Sequence, residues 1–271
     1  MEYSDEPRLI FSPLSEKEYC EFYDLEMQDY REDSDFYLKY INKDHAVLEL
    51  GCGSGRLSRH IAAKCKTITG VDVSTDMIDR AQRQSSRLPV HWRNNISYQQ
   101  MDMLQLDLGK LFDVIIIPYN TLNLLGNRPK ILKCLRLCRK HLHDAGILLV
   151  HLYLPTAKLL TAPGNKFFQF AIFEKENGEK VVKETVKSYC SESQSLILEE
   201  RYRLRPLDAP SNKRDLKHTM KLFCPVISSW LELFSSAGFS VEGYWSDHNF
   251  SQFSPEKSSA LFLHANKNID G

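Results

Sequence analysis

VLELGCGSGRLSRHIA, residues 47–62, sets three glycines into five positions directly behind a run of Val, Leu and Leu. The apolar run reads as a strand and the segment after it as an amphipathic helix, so Gly51, Gly53 and Gly55 occupy a strand-to-helix turn. Glycine at such a turn lets a ligand approach backbone N–H groups closely. The pattern stops short of the dinucleotide fingerprint, because position 56, where the last glycine would stand, holds Arg. The strand also ends in Glu49, whose carboxylate repels a pyrophosphate and favours an amino group or another cation. The ligand of this turn should carry positive charge.

Outward from the turn, residues 45–154 alternate short apolar runs with amphipathic stretches: HAVLEL, GRLSRHIAAKC, TITGVDV, STDMIDRAQRQSSRL, ISYQQMDM, FDVIIIPY, RPKILKCLRLCRKHL and GILLVHLYL. That alternation predicts a parallel sheet with helices on both faces, and the nearly continuous FDVIIIPY and GILLVHLYL belong in its centre. Residues 15–42, rich in aromatics and acids, read as one or two helices capping the sheet. From 166 to 224 β-branched and aromatic residues alternate, and Asn177-Gly178 is a hairpin signal, which predicts an antiparallel insertion of three or four strands. PVISSWLELFSSAGF then reads as a helix started by Pro225 and stopped by Gly238, followed by two last strands.

The whole chain has 271 residues, 42% hydrophobic and 26% charged, enough for one domain with a large insertion. Lys+Arg and Asp+Glu total 35 each, so no global field draws it to nucleic acid or an anionic membrane. MEYSDEPRLIF lacks the basic and apolar pattern of a signal, and no apolar stretch is long enough for a membrane helix, so a cytoplasmic protein with a small-molecule partner is expected. Seven cysteines without a C-x-x-C pair suit reduced thiols and packing rather than a metal.

Two further acids complete the ligand's outline. Asp72 ends the second strand, where open α/β sheets place a carboxylate on a ribose diol, and Asp102 ends ISYQQMD, where it can accept from an exocyclic amine. One cofactor with an ammonium, a ribose and an adenine satisfies Glu49, Asp72 and Asp102 together: S-adenosyl-L-methionine. In order and spacing, VLELGCGSG, GVDVSTDMID, MDM and FDVIIIPYNTL resemble the motifs of class I S-adenosylmethionine-dependent methyltransferases over about residues 20–155. The resemblance implies an α/β fold with a Rossmann-like doubly wound, mostly parallel sheet and an antiparallel last strand, to which the inserted antiparallel β-sheet and the N-terminal helical cap are added. It divides the chain into a cap (1–44), a cofactor-binding core (45–165), the β insertion as lid or dimer contact (166–224), and a C-terminal helix and strands completing the core (225–271).

The same resemblance places the methionine end of the cofactor on Glu49, Gly51, Cys52, Gly53 and Gly55. The ribose falls to Asp72 and Val73, adenine packing to Met77, adenine reading to Asp102 and Met103, and the sulfonium lies beside Pro118 or Tyr119. Tyr23 closes the site from the cap. YDLEMQDYREDSDFYL, PYNTLNLL and the C-terminal segment look like a small-molecule branch similar to glycine and amino-sugar N-methyltransferases, which favours a nitrogen acceptor over oxygen. Relatives often read Asp-x-Phe-Asn-Pro after the fifth strand, whereas this chain has HLYLP, with His151 and Leu154 in place of polar groups. Methyl transfer from a sulfonium needs alignment and exclusion of water more than activation, and no metal. Tyr119, Asn120 and His151 are the candidate catalytic residues, His151 as a base titrating near neutrality. Lys130, Lys133, Arg136, Arg139 and Lys140 interleave with leucines as a solvated helix face should. An RNA or tRNA base methyltransferase is the alternative within enzymes, and a non-catalytic, S-adenosylmethionine-binding regulatory subunit the alternative outside them; a homodimer is compatible with either.

Overall fold

Strands that are apolar throughout need cover on both faces, and residues 112–117 and 147–152 obtain it in a seven-stranded sheet. The computed structural model describes residues 11–161, 166–175, 177–206 and 213–268. The first half of the chain forms β1 (Ser12–Pro13), α1 (Glu16–Met27), α2 (Ser34–Leu38), β2 (Ala46–Leu50), α3 (Arg56–Ile61), β3 (Thr67–Asp72), α4 (Thr75–Ser85), α5 (Val90–Arg93) and β4 (Ile96–Gln100). It continues with β5 (Phe112–Ile117), α6 (Arg128–His141), β6 (Leu142–Tyr153) and α7 (Ala157–Thr161). Four long strands follow, β7 (Phe167–Glu174), β8 (Lys180–Cys190), β9 (Ser195–Arg205) and β10 (Arg214–Phe223), and the chain closes with α8 (Ile227–Ser236), β11 (Phe239–Trp245) and β12 (Ala260–Lys267).

The large sheet runs β11-β12-β6-β5-β2-β3-β4. Its pairings are parallel from β6 to β4, and β12 is antiparallel to both β6 and β11. This is the doubly wound arrangement with an antiparallel last strand that the sequence predicts. Alternate residues sort onto two cores: Leu48, Leu50, Ile115, Ile117, Leu148 and Val150 pack with α6 and α8, and Val47, Val114, Ile116 and Leu149 pack with α2 and α3. Helix starts follow side-chain chemistry. Ser15 and Glu18 form a capping box on α1, and the Ser74 hydroxyl accepts from Met77 N–H at the start of α4.

The second sheet runs β1-β10-β9-β8-β7. Its first hairpin turns at Asn177-Gly178, with Gly178 at φ +80° and Asn177 Oδ1 accepting from Glu179 N–H. The inserted segment supplies four strands, and β1 from the N-terminal segment adds a fifth by pairing parallel to β10. Asn123 ties this sheet to the core, donating to Phe223 O and Tyr153 O and accepting from Tyr153 N–H. The helix expected from Pro225 starts two residues later, at Ile227. Gly238, at φ +82°, ends it as expected. Among the described residues no helix is long and apolar enough to cross a membrane, and no group of three His, Cys, Asp or Glu side chains is placed to hold a metal ion.

Candidate active site

The glycine turn is held by backbone bonds before any ligand is considered. Gly51 and Cys52 N–H both donate to Val71 O, at 2.8 and 3.0 Å, which folds the turn onto β3. Gly53 N–H donates to Asp72 Oδ2 at 2.8 Å and Ser74 N–H to Asp72 Oδ1 at 2.9 Å, so Asp72 organises the turn as well as facing the space above it. Gly51 and Gly53 have φ of +72° and +53°; a Cβ on Gly51 would run into the Thr121 side chain, and the Tyr23 ring stands 3.5 Å from where a Gly53 Cβ would be.

Below the turn the electrostatics are unusual for a strand end. Glu49 is 1% exposed, on the face of β2 that meets α3, and Ser58 Oγ donates to it. Burial pushes its carboxyl up to about 8, against the smaller opposing effects of the Ser58 hydroxyl and the Arg56 charge. Arg56 is buried too, with Nη1 and Nη2 each 2.7 Å from an oxygen of Asp33, while its Nε finds no partner among the described residues.

A cavity of about 790 Å³ opens above these groups and joins the glycine turn to the second sheet. Glu49, Gly51, Cys52, Gly53, Asp72, Val73, Met77, Asp102, Met103 and Pro118 all line it, as do Tyr119, Asn120 and Tyr23. Four residues of one face of α1, Glu16, Tyr19, Tyr23 and Glu26, run along its side. Tyr119 and Asn120 take left-handed φ of 47° and 62°, and Asn120 N–H donates to His151 O at 3.0 Å. Asn120 Oδ1 is buried without a hydrogen-bond partner among the described residues. Residues from β8, β9 and β10, including Lys183, Lys187, Glu200, Tyr202 and Met220, form the far wall.

The glycine turn, β3 and the acid at its end lie within a segment that matches a known family. Residues 47–146 match the family model described as a methyltransferase domain. Nodulation protein S of Rhizobium tropici is 34% identical over 71 residues, 26% of this chain and 28% of that protein. A ubiquinone biosynthesis O-methyltransferase of Coxiella burnetii is 37% identical over 84 residues, 29% of this chain and 34% of its own. The chain spans half or less of the length of the curated relatives it matches. Among solved structures, the sugar N-methyltransferase KedS8 from Streptoalloteichus superposes with a TM-score of 0.72 at 15% identity, covering 99% of this chain and 100% of that one, a likeness of fold.

Two residues expected in the site lie elsewhere. Gly55, the N-cap of α3 at φ +76°, faces Tyr98 and Ala81 rather than the cavity, and is glycine because a Cβ would meet the Tyr98 ring. His151 is the larger correction. β6 continues to Tyr153, so His151 is inside the strand, on the face packed with α2 and α3, and not at its open end. Its ring stacks on Phe262 at 4.1 Å and 15°, it does not line the cavity, and burial pushes its imidazole down to about 3. The strand periodicity in LLVHLY, which sets His151 in phase with Leu149, carries that signal.

Other residues reach the site without having been singled out for it. In sequence Arg56 only breaks the dinucleotide pattern, Tyr19 and Glu26 belong to the helical cap, and Lys183, Lys187 and Glu200 to the antiparallel insertion. The alternation of EKVVKETVKSYC does put Lys183, Thr185 and Lys187 on one face, but which face is covered follows from the tertiary fold.

Proposed function

We propose that this chain is an enzyme transferring a methyl group from S-adenosylmethionine to a small-molecule acceptor, with nitrogen favoured over oxygen. The single observation that carries the reading is the cavity of about 790 Å³, which has the glycine turn at one end and a walled space at the other. The residues present suit the cofactor. Among the described residues buried Glu49 has only a hydroxyl for a hydrogen-bond partner and Arg56 keeps an unpaired Nε, a pattern matching the ammonium and carboxylate of an amino-acid moiety. Asp72 and Val73 offer a carboxylate and an apolar surface to a ribose, and Met77, Asp102 and Met103 fit an adenine.

When bound, S-adenosylmethionine supplies a methyl group already activated on a sulfonium. The protein's share is alignment. The Tyr119-Asn120 turn, fixed by the His151 carbonyl, sets Asn120 in the cavity lining with its buried Oδ1 unpaired among the described residues, an acceptor that a small rotation of the side chain would offer to a donor group of the substrate. The inserted sheet walls the acceptor space, which limits the access of water to it. The test is incubation of the purified chain with labelled methyl donor and a small-molecule extract. Label in a low-mass, acid-stable product, lost in Asn120→Ala by about 10²-fold, is the expected result. Label only in RNA, or tight cofactor binding without any turnover, overturns the reading.

A further inference from the structure

The wall of the cavity formed by the second sheet has its own charge pattern. Lys183 is 5% exposed, and its Nζ lies 2.6 Å from Glu26 of α1 and 2.6 Å from Glu200 of β9. Tyr202 OH donates to the other oxygen of Glu200 at 3.0 Å. Two carboxylates that share one ammonium and line the cavity keep acceptor oxygens for a protonated amine.

The strand register places a second lysine beside this cluster. Thr185 is opposite Glu200, so Lys183 and Lys187 flank Glu200 as its two diagonal neighbours on the same face. Lys183 takes the carboxylate. The Lys187 ammonium makes no hydrogen bond or ion pair among the described residues, although the residue lines the same cavity and is half-buried. Burial, and after it the Lys183 charge, hold its ammonium below the usual lysine range. A half-desolvated cation with no counter-ion is unfavourable unless a ligand brings one.

We propose that the methyl acceptor is an amine that also bears an anionic group, with Glu26 and Glu200 facing the amine and Lys187 pairing with the anion. This rests on the methyltransferase reading above and narrows its substrate class to amino acids and related zwitterions whose acid is a carboxylate or a phosphate. Neither group alone selects the class. The carboxylates admit any amine, and Lys187 penalises those that leave it unpaired.

The experiment uses the full chain saturated with S-adenosylhomocysteine and titrates three probes by calorimetry: β-alanine, aminopropylphosphonate, and propylamine. Wild type, Lys187→Met and Lys187→Arg are first compared for S-adenosylhomocysteine affinity, which also reports that each is folded. At least one acid-bearing probe is expected to bind wild type about tenfold or more tightly than propylamine. That advantage should vanish in Lys187→Met and persist in Lys187→Arg, and the better of the two acids identifies the anion. Equal binding of propylamine, an advantage that survives Lys187→Met, or no measurable binding of either acid-bearing probe refutes the proposal while leaving methyl transfer standing. Failure of wild type to bind S-adenosylhomocysteine refutes both.

Discussion

Acidification should weaken cofactor binding through one residue. Glu49 is buried with its carboxyl raised to about 8, so at neutral pH the cofactor-free protein holds it mostly protonated. An ammonium arriving in the cavity favours the ionised form, and binding then expels a proton. With the value near 8, roughly nine-tenths of a proton leaves per site at about pH 7, and affinity changes about tenfold per pH unit below it. Between about pH 8 and about pH 6 the dissociation constant of S-adenosylhomocysteine should rise roughly 50-fold. Glu49→Gln should be weaker at high pH and nearly flat across the range. Titration calorimetry in buffers of different ionisation enthalpy reads proton release directly. The sign for stability is the opposite. Because the folded-state value lies above the ordinary 4.5, the favourable neutral form is fully present below that value and is lost as pH rises through about 8, so the melting temperature of the cofactor-free protein should fall over that window. Zero proton release together with a flat affinity in wild type would refute the reasoning and detach Glu49 from the ligand.

Two other substitutions separate the site's parts. Asp72→Ala should weaken S-adenosylhomocysteine by roughly 1.5–3 kcal/mol through lost charge-assisted hydrogen bonds, and should also lower the melting temperature, because Gly53 and Ser74 N–H lose their acceptor. Calorimetry showing unchanged affinity in the folded variant would remove Asp72 from the site. His151→Leu should keep the single-turnover rate within about threefold, since the ring packs on Phe262 outside the cavity; a loss near the 10² typical of a general base would restore it as the proton acceptor.

What the sequence determined was whatever local pattern fixes. Strand-length apolar runs separated by amphipathic helices set the parallel sheet. Three glycines between β2 and α3 set the turn, and Glu49, Asp72 and Asp102 at successive strand ends set where a cofactor would lie, because in a parallel sheet all those ends face one edge. Phase and cover were decided only by the tertiary structure. His151 moved from the mouth of the cavity to the core because β6 runs on to Tyr153 and Phe262 arrives from β12, a strand 109 residues or more downstream that nothing near His151 announces. Gly55 likewise turned out to make room for Tyr98, and Arg56, out of place in a dinucleotide turn, became the buried partner of Asp33. The far wall of the cavity was the least legible part. Lys183, Lys187 and Glu200 alternate with other charged residues on strands of either possible facing, and only the docking of the second sheet over α1 and the glycine turn, with β1 and Asn123 holding it there, makes one face the inside.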